Sequence, residues 1–231
     1  MTPSQGRLII AIDGPSASGK STTARAVARR LGYVHIDTGA MYRALALKAL
    51  RESLDLANAA ELDAMLDRTC VKCTVSADSF RVILDGEDVT DEIRQARVSL
   101  KSSEIAAVPR VRHWLVERQR TLASAGGVVM EGRDIGTVVL RDADLKIYLD
   151  ARSGVRAERR WLEEKGREDR KTRDQVSKEL EERDLRDMTR EHSPLEAAPD
   201  AVKIDTTCLT VEDQVEAVLQ AVKRILKSRC E

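Results

Sequence analysis

The stretch Gly14-Pro-Ser-Ala-Ser-Gly19-Lys20-Ser21 restricts the fold of this chain more than any other. It fills every fixed position of G-x-x-x-x-G-K-[ST], a loop whose backbone N–H groups cradle phosphate. Before it, Leu8-Ile-Ile-Ala-Ile12 is a short apolar run suited to a strand buried on both faces. After it, Thr22 to Leu31 is Ala-rich with apolar residues at helical spacing, and Gly32 is a stop signal. Strand, glycine loop and helix thus stand in the order that presents a helix N-terminus to an anion. Lys20 adds a mobile positive charge for the outer phosphates, and the Ser21 hydroxyl is a candidate magnesium ligand. The stretch predicts a nucleotide site in an α/β protein.

The rest of the chain reads as more strands of that sheet, interrupted once. Tyr33–Ile36, Val128–Met130, Leu145–Leu149 and Val202–Ile204 read as short strands, each followed by polar residues where an open α/β sheet places its ligands. The first of them runs into Asp37-Thr-Gly-Ala-Met-Tyr-Arg43 and an Ala/Leu-rich helix to about Leu50, with Asp37 or Thr38 as its cap. A helix is expected at about 55–66. Alternation then takes over in Cys70–Val75, Phe80–Leu84 and Glu87–Thr90, a small antiparallel sheet that does not belong in a βα alternation and reads as an insertion. Asp91 to about Ala107 reads as one helix and Pro109 to about Ala123 as the next, with Val108, Val111, Leu115 and Leu122 as its core stripe. Thr210-x-x-Asp213 resembles a capping box opening the last helix.

Charge narrows the function. With 39 basic residues against 39 acidic ones and only 3% aromatics, the chain is not built to hold a polynucleotide by bulk charge and stacking, so an anion must be captured locally. The first apolar run spans only Leu8 to Ile12, which shows neither a signal peptide nor a membrane span, and a cytoplasmic setting with reduced thiols is the expectation. Cys70-x-x-Cys73 has no second pair and no His pair nearby, and reads as strand packing rather than a zinc site. The three histidines, His35, His113 and His192, are scattered, with no partner in view.

Local anion capture has candidates. Arg43, Arg112, Arg133, Arg183 and Arg190 each fall at an element's end or on a polar stripe, and could clamp an acceptor phosphate bidentately. Val176, Leu180, Arg183, Asp187 and Arg190, spaced 4, 3, 4 and 3, form one helix face that begins as core and ends as Arg-Asp-Arg. The basic turn around Gly166, with Lys165, Arg167, Arg170, Lys171 and Arg173, is a candidate lid. Together these point to phosphoryl transfer onto a second substrate, which asks for positioning, a metal and water exclusion more than covalent chemistry. A GTPase is disfavoured, because the only asparagine, Asn58, precedes Ala and offers no Asn-Lys-x-Asp element. A mechanochemical ATPase would want adjacent acidic residues at a strand end.

Five stretches taken together carry a resemblance. They are Ile12–Thr22, Asp37–Arg43, Ile105–Arg112, Glu131-Gly-Arg-Asp-Ile-Gly-Thr137 and Arg183-Asp-Leu-Arg-Asp-Met-Thr-Arg190. In that order they are similar to the successive motifs of bacterial cytidylate kinases, over nearly the whole chain. The resemblance implies transfer from ATP to CMP or dCMP with Mg2+. It implies a P-loop NTP hydrolase-like three-layer α/β/α fold with a five-stranded parallel sheet, a β-rich monophosphate-binding insert and a short lid. In extents, it implies core at 1–36, 105–155 and 176–231, the monophosphate-binding region at 37–104 with its β insert at about 67–90, and the lid at 156–175. ATP contacts would come from Gly14, Pro15, Ser16, Ala17, Ser18, Gly19, Lys20, Ser21 and Thr22, with Ser21 on the metal. Arg156 and Arg160 look like the lid arginines of nucleoside-monophosphate kinases in general. The CMP site would comprise Asp37, Thr38, Arg43, Ser103, Arg112, Arg133, Asp134, Arg183, Asp187 and Arg190. Within it, Ser103 and Arg112 would read the base, and Asp187 and Arg190 the sugar and phosphate region. Lys20, Arg133 and Asp134 would be the catalytic set. The loop departs from the family's more frequent Ser-Gly-Ala-Gly by reading Ser-Ala-Ser-Gly. The expected partners are the two nucleotides, with no polynucleotide, no membrane and a monomeric state. Rivals are another small-molecule P-loop kinase, for a different monophosphate or shikimate, and a non-catalytic nucleotide-binding regulator.

Overall fold

The computed structural model describes residues 7–75, 80–163 and 171–229. The chain divides into two units, residues 1–35 with 125–231, and residues 36–124.

The first unit is built on β1 (Ile9–Asp13), α1 (Lys20–Leu31), β2 (Val34–Asp37, whose end leads into the second unit), β6 (Val128–Gly132), β7 (Leu145–Asp150), α6 (Ser153–Glu163), α7 (Arg173–Thr189), β8 (Val202–Asp205) and α8 (Val211–Ser228). Among the described residues its sheet has five parallel strands in the order β2-β6-β1-β7-β8. β1 lies between β6 and β7, with Ile10 opposite both Val129 and Leu145. Leu8, Ile10, Ala11 and Ile12 are fully buried, as a central parallel strand covered on both faces requires. One layer of the core joins Leu8, Ile10 and Ile12 to Ala24, Val27 and Ala28 of α1 and to Val215, Val218 and Val222 of α8. The α8 start is the capping box read from the sequence: Thr210 Oγ1 accepts from the Asp213 N–H, and the Asp213 carboxylate accepts from the Thr210 N–H.

The second unit contains α2 (Thr38–Arg51), α3 (Ala59–Asp67), β3 (Val71–Val75), β4 (Phe80–Leu84), β5 (Glu87–Asp88), α4 (Ala96–Ile105) and α5 (Pro109–Ala123). Among the described residues β3, β4 and β5 form a three-stranded sheet, antiparallel throughout, at the place of the expected insertion. Its own core packs Ala44, Leu45 and Leu47 of α2 with Met65, Val82, Val98, Ile105, Val111 and Leu115. The last two belong to α5, and the unit runs on through Ser124.

Four local expectations are corrected. The helix expected over 91–107 is a 3₁₀ turn at Glu92–Arg94 followed by α4, with Gln95 extended between them. Ile93 and Val98 are five residues apart and would sit on different faces of one continuous helix; the break lets both be buried. On α5 the buried ridge runs Val111, Leu115, Gln119, Ala123 in steps of four, which leaves Leu122 exposed. The helix expected near 55 starts at Ala59, capped by the Asn58 side chain. Cys73 packs half-buried in the second core, where burial pushes its thiol up to about 12, but Cys70 precedes the strand and is exposed. Of the region expected as a lid, residues 156–163 belong to α6 and α7 begins at Arg173. Lys165, Gly166, Arg167 and Arg170 lie outside the described residues.

Candidate functional site

The phosphate loop follows β1, and its backbone explains its glycines. Gly14 has φ of 146°, and a Cβ there would lie 2.0 Å from the Leu149 carbonyl oxygen. Gly19, the N-cap of α1, has φ of 95°, and a Cβ would meet Gln214 Oε1 at 2.5 Å. That Gln214 oxygen accepts from the Thr23 hydroxyl at 2.8 Å, which fixes the first turn of α1 to α8. No side chain caps α1, so the N–H groups of its first turn are the donors a phosphate would use. Behind the loop, Thr206 Oγ1 donates to the Ser18 carbonyl at 2.9 Å, and Arg159 holds Thr206 through both its hydroxyl and carbonyl oxygens.

Lys20 is buried, with its ammonium donating to the Pro15 carbonyl at 2.5 Å and lying 3.4 Å from the Ser18 hydroxyl. Burial, and then the nearby Arg133 charge, bring its pKa down to about 7. Asp13, at the end of β1, accepts from the Ile135 and Gly136 N–H groups at 2.8 and 2.7 Å. These bonds tie the strand end to the π-helical turn Ile135–Val139. Burial nonetheless pushes Asp13 up to about 6.

Ser21 opens a buried chain of polar groups. Its hydroxyl donates to Glu131 Oε2 at 2.7 Å, and the other Glu131 oxygen lies 2.8 Å from His35 Nε2. Glu131 and His35 are both buried. His35, partnerless in the sequence reading, is therefore paired. Among the described residues no group of three or more His, Cys, Asp or Glu side chains could hold a metal ion. A hydroxyl and a carboxylate are hard oxygen donors of the kind magnesium takes when phosphate oxygens and water complete its shell.

Two of the remaining first-unit candidates, Arg133 and Arg156, meet at Ser16. Arg133 extends Nη2 to the Ser16 hydroxyl at 2.7 Å and Nε to Asp187 Oδ2 at 2.9 Å. Burial pushes the Asp187 carboxyl up, but Arg133 and Arg183 outweigh that and hold it below the usual carboxylate range. Arg190 Nη2 is 3.5 Å from Asp134 Oδ1, and Arg190 Nε donates to the Ser193 carbonyl. Thus the stripe down α7 passes from Val176 and Leu180 in a small core with Ala157 to Asp187 and its arginines. Arg156 is also drawn in: Nη1 donates to the Ser16 carbonyl at 3.1 Å and to Asp184, and Nε to the Ala151 carbonyl at 3.0 Å. Arg160 pairs with Glu163 at 3.3 Å on α6.

Within the second unit, Asp37 caps α2 by accepting from the Ala40 N–H at 3.0 Å, and its other oxygen accepts from Arg43 Nη2 at 2.9 Å. Thr38 is buried at the first position of α2. Arg112 is buried, with Nη1 3.3 Å from the Ala106 carbonyl and its guanidinium 5.8 Å from the Tyr42 ring centroid. The Ser103 hydroxyl is buried and has no hydrogen-bond partner among the described residues.

Sequence reasoning missed Asp13, His35, Glu131, Asp184 and Arg159. Glu131 had a usable signal, as an acid at the end of a strand buried on both faces. Asp184 had one too: Val176, Leu180 and Asp184 continue a strict i+4 ridge on α7, and all three are buried.

Comparison with known proteins places the chain among relatives. A family model described as Cytidylate kinase matches residues 10–224. The chain is 46% identical over 220 residues to a protein of Caldicellulosiruptor saccharolyticus named cytidylate kinase, covering 95% of this chain and 97% of that one. It is 50% identical over 212 residues to a protein of the same name from Desulfitobacterium hafniense, covering 92% and 91%. Among solved structures, a gluconokinase from Sinorhizobium meliloti superposes with a TM-score of 0.50 at 17% identity, covering 96% of this chain and 95% of that one. A shikimate kinase from Bacteroides thetaiotaomicron superposes with a TM-score of 0.50 at 12% identity, covering 94% and 99%. At such identities the likeness concerns the fold alone.

Proposed function

We propose that this chain, which belongs to the cytidylate kinase family, transfers the γ-phosphoryl group of ATP to CMP or dCMP, giving ADP and CDP or dCDP. The observation that carries the reading is the grip on Ser16. One guanidinium, Arg133, spans from the phosphate loop to Asp187, so the loop and the stripe residues are parts of one polar constellation.

In this reading Gly14 to Thr22 hold the donor's phosphates, with backbone N–H groups and the α1 N-terminus supplying fixed dipoles. Lys20 stabilises charge on the outer phosphates, and Arg133, already a fork between the loop and Asp187, stabilises the phosphoryl group in flight. Asp134, held near Arg190, positions the acceptor beside it and needs no proton-abstracting role. Asp187 accepts a hydrogen bond from the sugar hydroxyl. Its depressed pKa suits an acceptor that must stay ionised. Arg183 and Arg190 add charge for the monophosphate. Asp37, Thr38, Arg43, Ser103 and Arg112 keep the CMP-binding roles that the resemblance gives them. For Ser103, a buried hydroxyl with no protein partner among the described residues supports a ligand contact. For Arg112, burial of a guanidinium that supports base reading comes with the carbonyl of Ala106 as its anchor.

Magnesium would be held by Ser21, with Glu131 behind it. It would supply positive charge that offsets the charge on the phosphate groups during transfer. Of the two lid-arginine candidates, Arg160 pairs with Glu163 on α6, and Arg156 donates to the Ser16 carbonyl and to Asp184. The proposal includes a monomeric, cytoplasmic enzyme of pyrimidine nucleotide metabolism that engages neither polynucleotide nor membrane. Balanced charge supports it, and among the described residues no helix is long and apolar enough to cross a membrane.

The test is steady-state ADP release with CMP, dCMP, UMP, AMP, GMP and shikimate as acceptors. The highest kcat/KM is expected for CMP or dCMP. A higher value for any of the others would reject the substrate, and no acceptor-dependent release would leave only a nucleotide-binding regulator.

A further inference from the structure

Asp184 stands in an unexpected place for a carboxylate. It is buried on α7, and its Oδ1 accepts from the Ser16 N–H at 3.2 Å. That N–H belongs to a loop whose donors would serve polyphosphate, and both Lys20 and Arg133 feel the Asp184 charge. A bare carboxylate there would repel the phosphates the loop is built to bind. Arg156 answers it. Its Nη1 donates both to Asp184 Oδ2 and to the Ser16 carbonyl, while Nε is committed to the Ala151 carbonyl. The Ser16 residue is therefore bracketed, its N–H by Asp184 and its C=O by Arg156, while its hydroxyl is taken by Arg133. No part of this bracket needs a nucleotide to be in place.

We propose that Arg156 and Asp184 are a positioning pair, in which Arg156 neutralises Asp184 and together they set the Ser16 peptide, rather than Arg156 being a phosphate ligand. This rests on the reading that residues 14–22 hold the donor phosphates. The pair joins α6 and α7 to the loop, so its effect falls on donor binding and leaves the acceptor's KM alone. A phosphate clamp and a positioning pair make opposite predictions when Asp184 is removed. A clamp freed from its carboxylate partner binds no worse, and losing the clamp is not repaired by also losing the carboxylate. A neutralising arginine is needed only while the carboxylate is charged.

The experiment measures, by calorimetry on the full chain, the affinity of a non-hydrolysable ATP analogue with magnesium. The variants are R156M, D184N, R156M/D184N and R156K, with K20M as a control of the loop itself. The scale expected for couplings between neighbouring charges puts the loss in R156M at about 30-fold, with the double variant recovering to within about 5-fold of the parent. R156K, which keeps the charge, is expected within about 5-fold of the parent, whereas losing a bidentate contact would cost it tenfold or more. The KM for CMP at saturating ATP is expected to stay within about 3-fold in all four, as a residue acting only on the donor side requires. A double variant as weak as R156M, or an R156K as weak as R156M, overturns the pair. Thermal melting and binding stoichiometry separate loss of folded protein from loss of affinity, and if R156M does not fold the R156K result decides. Should K20M bind the analogue as tightly as the parent, the donor-loop reading fails and takes the pair with it. A weakened K20M with no recovery in the double variant rejects the pair alone.

Discussion

Lys20 shows what a single buried charge contributes. Its ammonium is pressed against the Pro15 carbonyl, and its pKa falls to about 7 through burial and the Arg133 charge. The sign of the consequence follows from proton linkage. A bound polyphosphate favours the charged lysine and raises its pKa. Below about 7 the lysine is protonated with or without ligand, and no proton moves on its account. Above about 7 the free protein holds this proton only in part, so binding takes it up and affinity falls as the pH rises, by up to about tenfold per unit. At pH 8.5 Asp13, with a pKa of about 6, stays ionised and does not blur the count. Calorimetry of ATP binding at pH 8.5 in buffers of different ionisation enthalpy should report uptake approaching one proton, lost in K20M. Equal heats in all buffers would contradict the placement of Lys20 on the phosphates. The same depression means that the unfolded chain binds more protons than the native one between about pH 7 and 10.5, so Lys20 weighs against the fold at low pH and its penalty fades across that window.

Elements divide by how local their causes are. β1 and β6 were legible because strands buried on both faces read as unbroken apolar runs, β7 because Leu145, Ile147 and Leu149 alternate, and α5 because Pro109 marks its first turn. The α8 capping box was legible for the same reason: Thr210 and Asp213 are three residues apart and need nothing else. Thr210→Ala is expected to cost about 1 kcal/mol of stability by losing the cap, and to leave the KM for CMP unchanged. Urea unfolding of the variant measures the first part; an unchanged midpoint would show that the cap carries no weight in the folded chain. What was not legible depends on pairs far apart in the chain. Ser21 and Glu131 are separated by 110 positions, and Ser16 and Asp184 by 168, so neither partner announces the other. The break in the helix before α4 is of the same kind, because local propensity favours a continuous helix and only the shared core of Ile93 and Val98 asks for the kink. Of the candidate site, the loop, Arg133 and Asp187 could be read from strand ends and a helix stripe. The pairings of Glu131 with Ser21 and of Asp184 with the Ser16 N–H could not.

At the scale of the whole molecule, the fold alone does not select a substrate. A gluconokinase and a shikimate kinase share it at 17% and 12% identity. Selection lies in the side chains that the common architecture carries, and the family match over residues 10–224 concerns those. The chain's balanced charge fits the proposed reading, in which capture rests on Arg133 and its neighbours near Ser16 and Asp187 rather than on an overall field. The most direct test follows the group that moves. With ATP labelled in its γ-phosphoryl and an excess of CMP, a single turnover resolved by chromatography is expected to place the label in CDP. Label found in inorganic phosphate, or left in ATP while the nucleotide is bound, would contradict the account.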